Sequence, residues 1–533
     1  MPTDYIPFRK TNYFSSLICD YLDEKEELKN FYHRFPNLEN FKMQIEEKQE
    51  VFSDASRSIL VESLKAQYAS FDISEDTKLN IDSLNDSKTF TITTGHQLNL
   101  FTGPLYFFYK IVSTINLCKA LKVAYPEFNF VPIYWMATED HDFDEINFFN
   151  FQGKKVQWNR NASGAVGELE LKGLDHLLSV FEAQLDGTIF SQKLVELFGK
   201  AYLSHSNLAD AMRHLVNELF GAYGLVIIDG NNKELKRSFI PYIKDELFTK
   251  TSFEHVSTSN LALNQVDGNY KIQVNPRDIN LFYINDNLRE RIVENQGNYR
   301  VNGTDIIWTK AQLGEEVDAH PERFSPNVIV RPLYQEIILP NLCYIGGGGE
   351  LAYWFQLKSN FESQKVVFPM LLLRNSVLLM SDKQQEKLLK LNVSVNDLFM
   401  NQYDLKTKIT KQISEIEIDF TTQKEHLKEQ FKALYKLAEQ TEKSFHGAVA
   451  AQERKQIKGL EKLEKRLLKA QKRKLSDHLE RVTAIQDELF PSHSLQERQL
   501  NFSEFYLESG DDFLPLLMDT LEPLKSEFLV LTI

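Results

Sequence analysis

Thr89–Thr94 reads TFTITT, residues 95–104 read GHQLNLFTGP, Leu105–Lys122 reads LYFFYKIVSTINLCKALK, and Asn129–Trp135 reads NFVPIYW. The first and last runs are β-branched and aromatic, the composition that fits a pleated, buried strand. Between them, Tyr106, Tyr109, Ile111, Ile115 and Leu117 recur at the spacing of a buried helix. Strand, loop, helix and strand within about 45 residues predict a βαβ unit and a parallel sheet.

Working outward, runs of the same buried type recur at Leu225–Asp229 (LVIID), Val328–Val330 and Val366–Leu373 (VVFPMLLL). The long intervals between them read as insertions, mostly helical over 151–222 and richer in strand over 255–325. The expected organisation is a helical segment over 1–85, core pieces at 86–150, 223–254 and 326–382, a helical hairpin over 383–490, and a return to the core over 491–533. In the hairpin Leu427, Phe431, Leu434 and Leu437 step by four and three, and Leu460, Leu463 and Leu467 repeat that pattern. An antiparallel coiled coil turning near His446-Gly447 follows, and Pro491 stops its second arm. The fold class is therefore α/β: an interrupted doubly wound core with a C-terminal antiparallel α-helical coiled coil.

The chain has 533 residues, more than one hydrophobic core usually organises, so several units are expected. Its charge of −14 does not favour nucleic acid. Gln452–Lys474 departs from this with ten Lys or Arg against three Glu, a local +7 that leaves −21 for the rest. Cys19, Cys118 and Cys343 have no paired spacing, which fits a reducing compartment. Residues 1–14 lack an apolar signal-like run, and the most apolar stretch, Phe368–Met380, is interrupted by Arg374 and Asn375 and is too short for a bilayer. The expectation is a cytoplasmic protein that does not engage a membrane.

Three polar clusters follow predicted strands, where open α/β sheets bind ligands. The first is Thr93-Thr94-Gly95-His96-Gln97 with Thr102-Gly103-Pro104. Its glycines would let a ligand approach the backbone at a helix N-terminus, and His96 could donate to an oxyanion. A strand-to-helix turn with a capping His reads equally well. The second runs from Ala137 to Glu145 and packs Glu139, Asp140, Asp142, Asp144 and Glu145 around His141. Such a group could hold a divalent metal, orient an ammonium group or supply a general base, but its spacing matches no zinc or EF-hand site, so no metal site is assigned. A solvated acidic turn, with Asp142 capping a helix, is the plainer reading. The third joins Asn327–Pro332 (NVIVRP) to Leu339–Trp354 (LPNLCYIGGGGELAYW). Arg331 is an anion candidate, Gly346–Gly349 mark close backbone approach, and Glu350 and Tyr353 lie one turn apart. Cys343, among Leu342, Tyr344 and Ile345, reads as core packing, not as a nucleophile.

Residues 94–110 (TGHQLNLFTGPLYFFYK), 132–147 (PIYWMATEDHDFDEIN) and 325–354 (SPNVIVRPLYQEIILPNLCYIGGGGELAYW), in this order, resemble the BshC family of bacillithiol-biosynthesis, cysteine-adding enzymes. The resemblance extends over essentially the whole chain. It implies a Rossmann-like core with connecting-peptide insertions, similar to class I aminoacyl-tRNA synthetases and pantothenate synthetase, and a homodimer formed through the helical region. It also implies a ligase joining cysteine to glucosaminyl-malate. By analogy with those fold relatives, ATP with magnesium would activate the cysteine carboxylate. Thr94, Gly95, His96, Gly103 and Lys110 would then meet phosphates, although for Lys110 a solvated helix position is the stronger reading. Arg331 and Arg374 would neutralise the leaving pyrophosphate. Asp140, His141 or Asp142 would hold the cysteine ammonium or deprotonate the amine. Trp135, Glu139, Asn327, Glu350 and Tyr353 would contact substrate, and Gly346, Gly347, Gly348 and Gly349 would close over it. Two competing readings are a tRNA-handling protein that uses the basic arm and a non-catalytic coiled-coil scaffold.

Overall fold

A computed structural model describes residues 3–533 except Asp267 and Asn269. Its centre is a five-stranded parallel sheet. The strands are β1 (Thr89–His96), β2 (Asn129–Met136), β3 (Val226–Asp229), β4 (Asn341–Gly346) and β5 (Met370–Leu373), joined in the order β5-β4-β1-β2-β3. Every residue of β1 and β4 is buried, which is why both read as continuous apolar or β-branched runs. Helix α1 (Tyr106–Ala124) crosses from β1 to β2 as the βαβ reading requires.

The strand order has a direct consequence for function. From β1 the chain winds outward through β2 and β3, then returns to lay β4 against the other edge of β1. The order therefore reverses between β1 and β4, and the crevice beyond the carboxyl ends of those strands is where such sheets take ligands. The Thr94 hydroxyl donates to the Ile345 carbonyl at 2.8 Å and ties the two strands together at this point.

Two segments differ from their reading. Val328–Val330 is a turn leading into helix Arg331–Ile338, not a strand; the strand preceding the glycine run is β4. A three-residue apolar run is too short to separate the two outcomes, and Pro332 at the second helical position favours a helix start. Of Val366–Leu373, only the last four residues pair in the sheet. Val377–Met380 then leaves it and pairs in parallel with the C-terminal strand Glu527–Thr532, whose other edge takes Thr3–Pro7 in antiparallel register. Thr3–Pro7 is therefore a strand ahead of the helices, and Glu527–Thr532 pairs between it and Val377–Met380.

The 255–325 insertion carries an antiparallel sheet that includes Leu281–Asn285 and Leu288–Asn295. The hairpin is formed by α2 (Thr421–Ala438) and α3 (Lys443–Lys474). It turns at residues 439–442, so His446 lies in the first turn of α3 rather than at the bend. An ion pair joins the two arms, with Lys424 of the first 2.7 Å from Glu464 of the second. Glu415, ahead of the first arm, lies 3.9 Å from Lys474 at the end of the second, and both are exposed. No helix among the described residues is long and apolar enough to cross a membrane.

Candidate functional site

The reversal point opens into a cleft of about 410 Å³. The end of β1 contributes Gly95, His96 and Gln97; the end of β2 contributes Trp135 and residues through Asp140; β4 contributes Tyr344. Tyr106 and Lys110, one turn apart on α1, and Asn327, Arg331, Glu350 and Tyr353 complete most of the wall. All three sequence clusters therefore reach one cavity.

Lys110 is not solvated. Its Nζ is buried, donates to the Gly95 carbonyl at 2.7 Å and lies 2.6 Å from Glu350 Oε1. Burial pushes the ammonium down from its usual pKa, against the pull of Glu350. Burial acts on Glu350 in the opposite sense, yet Lys110, the Tyr344 hydroxyl at 2.8 Å and the Gly347 N–H at 3.1 Å hold it below the usual carboxylate range. A side chain at Gly95 would press on the Tyr344 hydroxyl at 3.2 Å, which accounts for glycine there.

His96 is buried, its Nε2 has no hydrogen-bond partner among the described residues, and burial with Lys110 and Arg374 nearby pushes its pKa well below the ordinary value. The imidazole is therefore neutral at physiological pH, with one buried nitrogen left unpaired among the described residues. Burial would raise Asp140, but bonds from His141 and from Gln97 at 2.9 Å outweigh it and keep the carboxyl well below its usual range. Asp140 is thus a fixed negative charge. Arg331 lies 5.6 Å from the Trp135 ring and 5.8 Å from that of Tyr344, with Gln335 as a hydrogen-bond partner at 3.0 Å. Glu139 is held at 2.5 Å by Lys236, which also donates to the Phe324 carbonyl.

Other expected residues lie elsewhere. Gly103 is outside the cleft: it sits at φ +64°, where a side chain would collide with Asn99, and its carbonyl accepts from Asn501 at 2.7 Å. Nor is the N-terminus of α1 free to cradle phosphate. The Leu105 N–H is taken by the Leu500 carbonyl, and those of Phe107 and Phe108 by Pro104 and Leu105. Thr94 is spent on the β1–β4 bond. Arg374 is buried behind the cleft against Glu497 at 2.6 Å. Gly346–Gly349 form the turn from β4 into the helix Gly348–Trp354 and aim Glu350, but none of them lines the cavity. Asp142 is exposed and makes no side-chain capping bond, while His141 borders a neighbouring recess.

Gln97 belongs to the first polar cluster, whereas Tyr106, Tyr344, Lys236 and Arg289 were not read from the sequence as parts of this site or its support. The four-residue spacing of Tyr106 and Lys110 on one helical face was a usable signal. Arg289 comes from the 255–325 insertion, and nothing local marks it. Cys343 is fully buried, and burial pushes its thiol up, as a packing role requires. Among the described residues no group of three or more His, Cys, Asp or Glu could hold a metal ion.

Family comparison agrees with this architecture. Residues 1–375 match the model for the bacillithiol biosynthesis BshC N-terminal Rossmann-like domain, and residues 377–533 match that for the BshC C-terminal coiled-coil domain. The chain belongs to the BshC family. Relatives named "Putative cysteine ligase BshC" include that of Flavobacterium johnsoniae, 58% identical over 100% of both chains. That of Christiangramia forsetii is 56% identical over 100% of this chain and 99% of its own. That of Cytophaga hutchinsonii is 37% identical over 97% of this chain and 96% of its own. In this BshC chain the boundary between the matched domains falls at the step from the parallel sheet to Val377–Met380, earlier than the boundary at 382 expected from sequence. Both family domains span the chain, so neither a tRNA-gripping arm nor a bare scaffold is needed to explain its parts.

Proposed function

We propose that this chain is a ligase that joins the carboxylate of L-cysteine to the amine of glucosaminyl-malate, completing bacillithiol. The observation that carries the reading is the convergence of His96, Asp140, Arg331 and the Lys110–Glu350 pair, drawn from four separate segments, on one cleft at the sheet's reversal point. The relatives' name supplies the reaction class.

An amide from a free carboxylate needs activation. With ATP as co-substrate, a cysteine carboxylate oxygen bonds to the α-phosphorus and pyrophosphate leaves. The amine nitrogen then bonds to the acyl carbon, AMP leaves, and the nitrogen loses a proton. Arg331, with no carboxylate partner among the described residues, and the free Nε2 of His96 suit the developing phosphate charge. The fixed negative charge of Asp140 suits the cysteine ammonium. The mostly buried Glu350, bound to a lysine of lowered pKa, is placed to exchange a proton with the amine. Magnesium would arrive with the nucleotide.

We further propose that two copies pair through the hairpin, where Leu434, Leu437, Phe445 and Leu463 are exposed. Mass spectrometry of a reaction containing cysteine, glucosaminyl-malate, ATP and magnesium tests the catalytic reading. A thiol-containing amide with equimolar AMP supports it. Product that appears only with a different activated donor overturns the adenylate route.

A further inference from the structure

A second recess, of about 340 Å³, adjoins the cleft and shares Asp140, Arg289, Asn327 and Val328 with it. Three guanidinium groups border it: Arg277, Arg289 and Arg291. Strand Leu288–Asn295 sets two of them, because residues two apart on a strand share a face, and the antiparallel register places Arg291 opposite Phe282. Arg289 lies over the Phe282 ring at 3.9 Å, and its Nη1 meets His141 Nδ1 at 2.6 Å. Its Nε is buried without a partner among the described residues.

None of the three arginines forms an ion pair among the described residues. Asp278, the acid next to Arg277, is instead 3.5 Å from Lys250. Two acids at the junction with the cleft act on Arg289, and both are already engaged: Asp140 is bonded to Gln97 and His141, and Glu139 to Lys236. Three mutually repelling cations around a concave space are stabilised by an anion with several acceptor oxygens, and guanidinium forks match planar carboxylates in pairs.

We propose that this recess holds the two carboxylates of the malyl group of the amine substrate, so that the amine end projects past Asp140 into the cleft. The inference rests on the ligase reading and assigns its acceptor subsite. The insertion then serves to recognise the acceptor, while the sheet supplies the reaction centre.

The test uses full-length protein carrying Arg277→Gln, Arg291→Gln or Arg291→Lys, with calorimetric binding of glucosaminyl-malate alongside steady-state kinetics. The glutamine variants are expected to weaken binding and raise KM for glucosaminyl-malate by about tenfold to a hundredfold, with kcat and the KM for cysteine little changed; the lysine variant recovers part of the loss. L-malate should compete for the recess, and inorganic phosphate at the same concentration should not. Unchanged binding in both folded glutamine variants overturns the proposal, as does phosphate competing as well as malate. Wild-type protein that fails to bind glucosaminyl-malate also overturns it. Arginine-dependent binding without product would leave the recess assigned and remove the ligase reading, whereas product with indifferent arginine variants would do the reverse.

Discussion

Lys110 and Glu350 lie 240 positions apart in the chain, yet their charged atoms meet at 2.6 Å at the wall of the cleft. One comes from the helix after β1, the other from the helix after β4, so the pair spans the point where the sheet reverses direction. Lys110 is almost wholly buried, and about a quarter of the Glu350 side chain faces the cleft (27% exposed). A pair in this position orders the two halves of the core around the substrate.

Removing one partner leaves the other buried and uncompensated. Lys110→Met should cost about 2–4 kcal/mol in urea unfolding, somewhat below a fully buried pair because Glu350 keeps some solvent. The double variant Lys110→Met with Glu350→Gln should recover more than half of that loss while remaining inactive. An additive double variant would show that the two groups do not interact.

The neutral state of His96 carries a pH signature. The unfolded chain takes up a proton on this histidine near pH 6.5, whereas the folded chain resists it because burial, Lys110 and Arg374 all disfavour the cation. Its contribution is therefore complete above about pH 6.5 and declines as pH falls below that value, by about 1.4 kcal/mol per pH unit until the folded pKa is reached. His96→Gln should remove this decline. Unfolding free energies of the two proteins should differ by a constant above about pH 6.5 and converge or cross below it; a difference independent of pH would contradict the assignment.

Arg331→Lys keeps the charge but loses the planar fork and its contacts with Trp135 and Tyr344. A drop of about 10- to 100-fold in kcat/KM is expected, with thermal stability changed by only a few degrees. Full activity in the lysine variant would mean that the guanidinium geometry is not used.

The core was legible because all of β1, nearly all of β2 and residues 107–118 of α1 are buried, so their apolar runs carry the fold locally. The clusters at the ends of β1 and β2 were legible for the same reason. Val328–Val330 misled because three apolar residues suit a strand and a turn equally. Gly103 and Gly346–Gly349 look alike in sequence as ligand-approach glycines, but Gly103 is required by a positive φ against Asn99, whereas Gly346–Gly349 make the turn into the helix of Glu350 without a positive φ, and a side chain at Gly349 would meet open space. Arg374 was misassigned because its partner, Glu497, lies 123 positions later. Arg289 was missed because only tertiary packing brings the insertion to the cleft.

The hairpin has a thin core of Phe431, Ala438 and Val449 and leaves Leu434, Leu437 and Leu463 exposed. Leu437→Glu together with Leu463→Glu should turn a dimer into a monomer in sedimentation experiments without unfolding the Rossmann-like core. A wild type that sediments as a monomer at all concentrations would contradict pairing through this element.

The most direct measurement is a single reaction followed by mass spectrometry: purified protein, cysteine, glucosaminyl-malate, ATP and magnesium. The cysteinyl amide should accumulate with one AMP per product, and vanish in Asp140→Asn and Lys110→Met proteins that remain folded. Folded wild-type protein that yields no amide, or an Asp140→Asn protein that yields it at the wild-type rate, would contradict the cleft as the seat of the chemistry.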